Sequence, residues 1–163
     1  LINDLMSDSK AILCGLGCRD SLRLEAGLSL YGNELCEKIT PVEANLSWAI
    51  SNVRMKLGGF NGHQIISKQK QEGVSQKRVG ILLKSKSILR SKMKLFNENN
   101  QNIGTITSGG YSPTLNTSIG MAYINIIFLN NSSKILCSIR NNLEEVKLTN
   151  LPFIKHNYRK GTL

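Results

Sequence analysis

The spacing of apolar residues changes near Gly73, a little before the middle of the chain. Before it, apolar residues recur at helical intervals between glycines and residues that cap helices, whereas after it short apolar runs alternate with Asn, Ser and Gly turns. A period near 3.6 indicates helices, and short runs bounded by turn residues indicate strands. The pattern therefore predicts an α+β protein in which helices come first and a sheet follows.

The first 73 residues contain several helix signals. Residues 1–13 predict the end of a helix and then an apolar extended segment, with Leu5, Met6, Ile12 and Leu13 buried. The others are a helix that Asp20 or Ser21 caps and Gly27 stops, a short helix from the capping box Thr40 to Glu43 that ends near Trp48, and a helix from about Gly62 to Glu72 with Asn61 as cap, Ile65 and Ile66 inward, and Gly73 as terminator.

Short apolar segments with polar turns dominate the rest of the chain. Lys94–Phe96 and Ile103–Thr107 flank a polar turn and predict one hairpin, and Ile119–Phe128 and Ile135–Ile139 predict a second. Val79–Leu83 and Val146–Leu148 are further predicted strands. Regularly spaced short strands predict a small antiparallel barrel, which closes and so removes the exposed strand edges.

Charge is concentrated in one segment of the chain. The net charge is +10, and residues 65–100 hold nine basic and two acidic side chains. Such a segment favours an acidic partner. Because Phe96 is the only aromatic residue in it, we expect no nucleic acid there. The most apolar run, 124–129, is far too short to span a bilayer, so we expect no membrane partner.

The residues that commonly carry chemistry form no recognisable motif. The four cysteines include no C-x-x-C pair and are far from both histidines in sequence, so we expect no metal site and reduced, mostly buried thiols. Gly15 and Gly17 lack the third glycine of a dinucleotide fingerprint, and no lysine follows a phosphate-binding glycine loop.

The segment from Gly15 to Gly32 resembles the signature of the glycine cleavage system T proteins, the aminomethyltransferases. Further motifs of that family follow in the same order and with similar spacing. They are Thr40–Ala44, Ser47–Trp48, Phe60–Gly62, Arg78–Gly80, Ile103–Gly109, Ser112–Pro113, Ile119–Tyr123, Leu151–Phe153 and Tyr158.

The resemblance implies a C-terminal portion of such a protein. Residues 1–73 would be the helical end of a folate-binding domain with a connector helix, and residues 74–163 a C-terminal β-barrel. The family transfers a one-carbon unit from the aminomethyl-lipoyl arm of H protein to tetrahydrofolate and releases ammonia. The implied partners are therefore folate, lipoylated H protein and a separately supplied N-terminal half. The implied location is the cytoplasm in a bacterium or the mitochondrial matrix in a eukaryote.

By resemblance, three residues of this chain contact folate: Arg19, Tyr158 and Trp48. For Arg19 the alternative is a structural role, for Tyr158 an exposed position in the tail, and for Trp48 packing in the core. No catalytic residue is expected here, because the family's catalytic aspartate lies in the N-terminal half. This chain alone is therefore expected to be inactive.

Other residues of these motifs are expected to be structural. Asp20 is expected to cap its helix, Arg23 and Glu25 to fix the packing between domains, and Arg78 to tie its strand to neighbouring backbone.

Two related families remain as alternatives. The folate domains of sarcosine and dimethylglycine dehydrogenases share the F-x-G portion found at Phe60–Gly62. Iron–sulfur assembly factors of the same superfamily carry a K-G-C-Y-x-G-Q-E motif, and the segment from Lys56 to His63 lacks its Cys and its Gln-Glu pair.

Overall fold

The computed structural model describes residues 1–8, 10–129, 134–140 and 142–157. The helices α1 to α4 come first, followed by the strands β1 to β6, and short 3₁₀ turns cover Ser47–Ala49 and Ile126–Phe128. The helices are Ile2–Met6, Leu16–Glu25, Asn52–Leu57 and His63–Glu72, and the strands are Gln76–Leu83, Lys94–Phe96, Asn102–Ser112, Thr117–Asn125, Ile135–Ile139 and Asn142–Thr149.

The six strands form a closed antiparallel barrel, which confirms the predicted fold class. Their order around the barrel is β1-β4-β3-β2-β5-β6. The hairpin of β2 and β3 is confirmed. The predicted hairpin of β4 and β5 is wrong, because β4 pairs with β1 and β3 while β5 pairs with β2 and β6. Of these pairings, β4 with β1 and β5 with β2 join strands that are not adjacent along the chain, and they belong to the closed order of the barrel.

The barrel interior is filled by aliphatic side chains that alternate along the strands. Ile81, Leu89, Leu95, Ile106 and Ile124 are all completely buried within one cluster. Burying a side chain of this size stabilises the fold by about 1.5–3 kcal/mol. This core gives the helices a rigid platform.

Helix α2 packs on the outside of β3 and β4. The Leu24 side chain of this helix is buried against Ile119 and Met121 of β4. The helix begins at Leu16 after Gly15, so the predicted cap at Asp20 or Ser21 is wrong. Both residues lie inside the helix, and the Ser21 hydroxyl donates to the Gly17 carbonyl. The predicted end is confirmed, since Gly27 follows with a φ of +65°.

The segment before α2 is more exposed than its sequence predicts. Ile12 and Leu13 are 81% and 76% exposed, and Leu5 and Met6 are also exposed. The predicted burial of these four side chains is therefore wrong, because the described residues place no core against this end of the chain.

The capping box forms its hydrogen bonds without starting a helix. The Thr40 amide donates to Glu43 and the Glu43 amide donates to the Thr40 hydroxyl, at 2.9 and 3.3 Å. The chain then turns back, with Asn45 at a φ of +58°. The predicted short helix is therefore a single turn.

The last predicted helix of the first half is confirmed as α4, which Gly73 follows as predicted. The predicted cap at Asn61 is wrong, because Gly62 is the N-cap and no side chain of the described residues caps the helix. Ile66 is buried as expected, whereas Ile65 is 59% exposed, so its predicted burial is wrong.

Candidate functional site

A groove of about 670 Å³ runs between α2 and the chain segment that follows the barrel. The Ile154 amide donates to the Glu25 carbonyl at 3.1 Å and so holds this segment against the end of the helix. Leu16, Leu22, Leu28 and Ile154 make much of the groove wall apolar. The volume and the apolar wall are typical of small-molecule sites.

Two cationic side chains belong to the lining of this groove. Arg19 projects from the second turn of α2, and Lys155 lies on the opposite wall. Both side chains are exposed, so they are available to a ligand carboxylate. A guanidinium can bind a carboxylate through two parallel hydrogen bonds.

A larger cleft of about 1160 Å³ adjoins the groove. Ala26, Leu28 and His156 contribute to both hollows, and the His156 ring lies 2.9 Å from the Ala26 carbonyl through Nε2. Trp48 lines the larger cleft and is 80% exposed, so its expected alternative, packing in the core, is wrong. Arg19 and Trp48 therefore belong to neighbouring hollows with a shared wall.

Tyr158 lies outside the described residues. Residues 154–157, directly before it in the chain, line the groove that also contains Arg19. Lys155 was not expected as a lining residue, because a lysine near a terminus carries no signal in the sequence. Leu16 and Leu22 were not expected there either, because their exposure is visible only in the structure.

Arg78 fixes the floor of the larger cleft. Its guanidinium donates to the carbonyls of Ala44 and Gly27 at 2.9 and 3.0 Å, and its amide donates to the Glu43 carbonyl. Burial lowers the pKa of the Arg78 guanidinium. These contacts confirm the predicted structural role, because they join β1 to the turn at 40–45 and to the end of α2.

Helix α2 is fixed to the barrel by polar contacts on both sides of Leu24. Arg23 donates to Glu34 and Ser108 at 3.0 Å each. Glu25 accepts hydrogen bonds from the Ser112 hydroxyl and from the amide and hydroxyl of Thr114. The two charged residues thus hold the helix to the barrel, as their motif predicts.

Asp20 does not cap its helix as expected. It accepts a hydrogen bond from Arg23 at 2.7 Å and remains more than half exposed.

The basic segment is less uniform than its composition suggests. Arg78 is buried, Lys84 pairs with Glu145, and Lys68 pairs with Glu72. Besides Lys84, the exposed cations of the loop and strand between β1 and β3 are Lys86, Arg90, Lys92 and Lys94. We call these four residues the basic edge, and they are a part of the segment that is available to an acidic partner.

The cysteines differ from the expectation of mostly buried thiols. Cys14, Cys18 and Cys36 are exposed, and Cys137 is buried in the barrel. Burial raises the pKa of the Cys137 thiol to about 11. Within the described ranges, no three His, Cys, Asp or Glu side chains are placed to share a metal ion. In the same part of the chain, every helix is too short or too polar to cross a bilayer.

Two family models match the chain. One, described as the glycine cleavage T-protein C-terminal barrel domain, covers residues 76–155, and the other, described as the GCVT N-terminal domain, covers residues 1–54. The solved structure of the glycine cleavage system aminomethyltransferase T from Bartonella henselae superposes with a TM-score of 0.88. It is 31% identical, over 94% of this chain and 42% of that one.

Curated relatives from plants and bacteria are similar at higher identity. The mitochondrial aminomethyltransferase of Flaveria trinervia is 46% identical over 154 residues, which are 94% of this chain and 38% of the relative. The aminomethyltransferase of Listeria innocua is 44% identical over 141 residues, which are 86% of this chain and 38% of the relative. The chain thus spans well under half the length of these relatives.

Proposed function

The chain belongs to the glycine cleavage T-protein family, whose C-terminal portion it matches, and we propose that it supplies one wall of a tetrahydrofolate site in an aminomethyltransferase. The complete enzyme would transfer the one-carbon unit of an aminomethyl-lipoyl arm to tetrahydrofolate. Methylenetetrahydrofolate, ammonia and the reduced lipoyl arm would be the products. In this proposal residues 1–73 complete the folate-binding domain and residues 74–163 form the barrel domain.

The groove beside α2 is the observation that carries this proposal. Tetrahydrofolate has a reduced pterin head, a benzoyl ring and a dicarboxylate tail. An apolar wall from Leu16, Leu22 and Ile154 suits the rings, and Arg19 with Lys155 suits the carboxylates. The donor set of the groove therefore fits the ligand that the family uses.

Each proposed contact has a distinct task. Arg19 binds a carboxylate or amide oxygen of the ligand, and Trp48 packs against the benzoyl ring from the neighbouring cleft. Tyr158, close in sequence to the residues that line the groove, adds a ring and a phenolic hydroxyl. These three residues bind and orient, while the acid and base groups of the reaction belong to the other half of the enzyme.

The basic edge is the proposed docking surface for the lipoylated H protein. Lys86, Arg90, Lys92 and Lys94 are exposed and close in sequence, so an acidic surface would be attracted to them. Complementary charge raises the rate of encounter more than the final affinity. Their replacement by glutamine would therefore slow association, most clearly at low salt.

The relatives divide between two compartments. Some carry names that place them in mitochondria and others are bacterial. We accordingly propose the mitochondrial matrix if the source is a eukaryote and the cytoplasm if it is a bacterium.

Reconstitution tests the proposal directly. The purified chain is assayed with tetrahydrofolate and aminomethyl-H protein, alone and with a family N-terminal half added as a second polypeptide. We expect no methylenetetrahydrofolate from the chain alone and turnover from the mixture. Turnover by the chain alone would overturn the assignment of the acid and base groups to the other half. A mixture that assembles but does not bind tetrahydrofolate would overturn the proposed site.

A further inference from the structure

Two exposed thiols flank the start of helix α2. Cys14 is the residue before the N-cap Gly15, and Cys18 is the third residue of the helix. The Cys18 amide donates to the Gly15 carbonyl at 3.1 Å, and this hydrogen bond closes the first helical turn directly after Cys14. The two cysteines are thus four residues apart, with Cys14 just before the helix and Cys18 within its first turn.

The two thiols also share one environment. Both line the groove that contains Arg19, and the Cys14 thiol lies 3.7 Å from the Ile12 carbonyl, which keeps it near the helix start. A hydrogen bond with Cys14 and the charge of Cys14 are the main causes that raise the pKa of the Cys18 thiol. The shared groove and the four-residue spacing around the N-cap, and not this pKa, bring the two thiols near each other.

We propose that Cys14 and Cys18 form a reversible dithiol–disulfide pair at the rim of the groove, with a dialkyl disulfide as the oxidant. One protein thiolate attacks a sulfur of the dialkyl disulfide, which forms a mixed disulfide and releases one small thiol. The second protein thiolate then attacks the protein sulfur of that mixed disulfide and releases the second small thiol. The protein pair loses two protons and two electrons, and the dialkyl disulfide gains them as two thiols.

The local backbone can accommodate the bond. A disulfide requires Cβ atoms about 3.8 Å apart and Cα atoms about 5.5–6 Å apart. Residues 11–15 form no helix or strand, so Cys14 can move towards the helix without breaking a strand or a helical turn. The product is a small loop of five residues, Cys14 to Cys18, on one wall of the groove.

The other two cysteines provide contrasts within the same chain. Cys36 is exposed and does not line the groove that contains the pair, so we expect it to form a mixed disulfide and no internal one. Cys137 is buried in the barrel core, where a dialkyl disulfide cannot reach it, and burial raises the pKa of its thiol to about 11. The proposal therefore predicts three different outcomes at four thiols.

Intact-mass measurement and peptide mapping test the proposal. The purified, fully reduced chain is equilibrated with mixtures of reduced glutathione and glutathione disulfide, then quenched with acid and an alkylating agent. We expect a Cys14–Cys18 peptide that lacks two hydrogens and carries no glutathione, a glutathione adduct on Cys36, and an unmodified Cys137. Reduction with excess glutathione should restore both thiols.

Two serine variants sharpen the test, and circular dichroism checks that each retains its fold. Cys18→Ser should convert the internal bond into a stable glutathione adduct on Cys14, at least tenfold more abundant than in the unaltered chain. Cys36→Ser should leave the Cys14–Cys18 bond unchanged. Separate glutathione adducts on Cys14 and Cys18 in the unaltered chain, or bonds between two copies of the chain, would overturn the proposal.

Any effect of the Cys14–Cys18 disulfide on tetrahydrofolate binding depends on the proposed function. Arg19 directly follows Cys18, so the disulfide would restrict the helix turn that carries the proposed carboxylate contact. Tetrahydrofolate titrations of the oxidised and reduced reconstituted protein separate the two ideas. Absence of binding in both states would contradict the folate site and leave the mass result for the thiol pair intact.

Discussion

The Arg23 guanidinium donates to the Glu34 carboxylate at 3.0 Å, and the Glu34 side chain is completely buried while that of Arg23 is 10% exposed. The same carboxylate accepts the Leu30 amide at 3.0 Å and the Thr107 hydroxyl. Because Arg23 also contacts Ser108 on β3, this ion pair joins helix α2, the following loop and the barrel. It is a buried pair with most of its hydrogen bonds satisfied.

Glu34→Gln should destabilise the chain by about 3 kcal/mol, because it leaves the buried Arg23 charge without its main partner. Asp20→Asn is the matched control. Asp20 accepts from the same guanidinium but is 54% exposed, so its loss should cost less than about 1 kcal/mol. Urea unfolding of the two variants measures the difference. Equal losses of unfolding free energy would show that burial does not govern this pair.

Gly109→Ala should destabilise the barrel, whereas Gly110→Ala at the next position should not. A Cβ at Gly109 would lie 2.6 Å from the carbonyl carbon and oxygen of Leu89, which are backbone atoms that cannot easily move. Overpacking of this kind costs about 1–3 kcal/mol. A Cβ at Gly110 would meet nothing closer than 3.6 Å, a flexible methyl of Leu24.

Thermal unfolding, monitored by circular dichroism, compares the two glycine variants. Gly109→Ala should lower the melting temperature by several degrees, on the order of 2–4 °C per kcal/mol for a chain of this length. Gly110→Ala should leave it unchanged or raise it slightly, since alanine restricts the unfolded chain. A similar decrease for both variants would contradict the close approach of the Leu89 backbone.

Contacts between neighbours along the chain were predictable from the residues themselves, whereas contacts between distant residues were predictable only where the resemblance of a whole motif indicated them. The Thr40–Glu43 hydrogen bonds follow from a four-residue motif and are present. The helix expected after them is absent, because the chain turns back towards β1, where Asn45 donates to the Arg78 carbonyl. The structural role of Arg78 was predictable because it depended on the resemblance of its whole motif.

The Arg23–Glu34 pair carried no such signal. Its partners are eleven residues apart, and their meeting depends on how the loop after α2 folds against β3. The wrong pairing of β4 with β5 has the same origin, since a closed barrel allows strands distant in sequence to pair. In the site, the sequence indicated Arg19 and Trp48 but not the shared wall of Ala26, Leu28 and His156 that places their hollows side by side.

Stability should decrease at acidic pH through Glu25. Burial raises the pKa of this carboxyl group, but the hydrogen bonds from Ser112 and Thr114 outweigh it, so the pKa lies below its ordinary value of 4.5. A carboxylate with a lowered pKa in the folded state stabilises the protein above its unfolded pKa. That stability is lost as the pH falls from about 4.5 through the folded pKa.

Urea unfolding between pH 3 and pH 7 measures the contribution of Glu25. In Glu25→Gln the free energy of unfolding should be lower at pH 7 and should depend less on pH below about pH 5. The control is Glu72→Gln, because Glu72 is exposed and pairs only with the exposed Lys68 at 3.7 Å. If Glu72→Gln reduced the pH dependence of the unfolding free energy below pH 5 as much as Glu25→Gln does, the effect would not be specific to the Ser112 and Thr114 contacts.

Arg19→Ala in the reconstituted protein should weaken tetrahydrofolate binding by about 1.5–3 kcal/mol, the range for hydrogen bonds to charged groups. That loss corresponds to a dissociation constant roughly tenfold to a hundredfold higher. Arg54→Ala is the matched control, because Arg54 is an exposed arginine on α3 that does not line the groove. Isothermal titration calorimetry at constant salt compares both variants with the unaltered protein. Because Arg19 is exposed, its replacement should change the free energy of unfolding by less than about 0.5 kcal/mol. Weaker binding would therefore report a lost ligand contact and not a damaged fold. Unchanged affinity would remove Arg19 from the folate site.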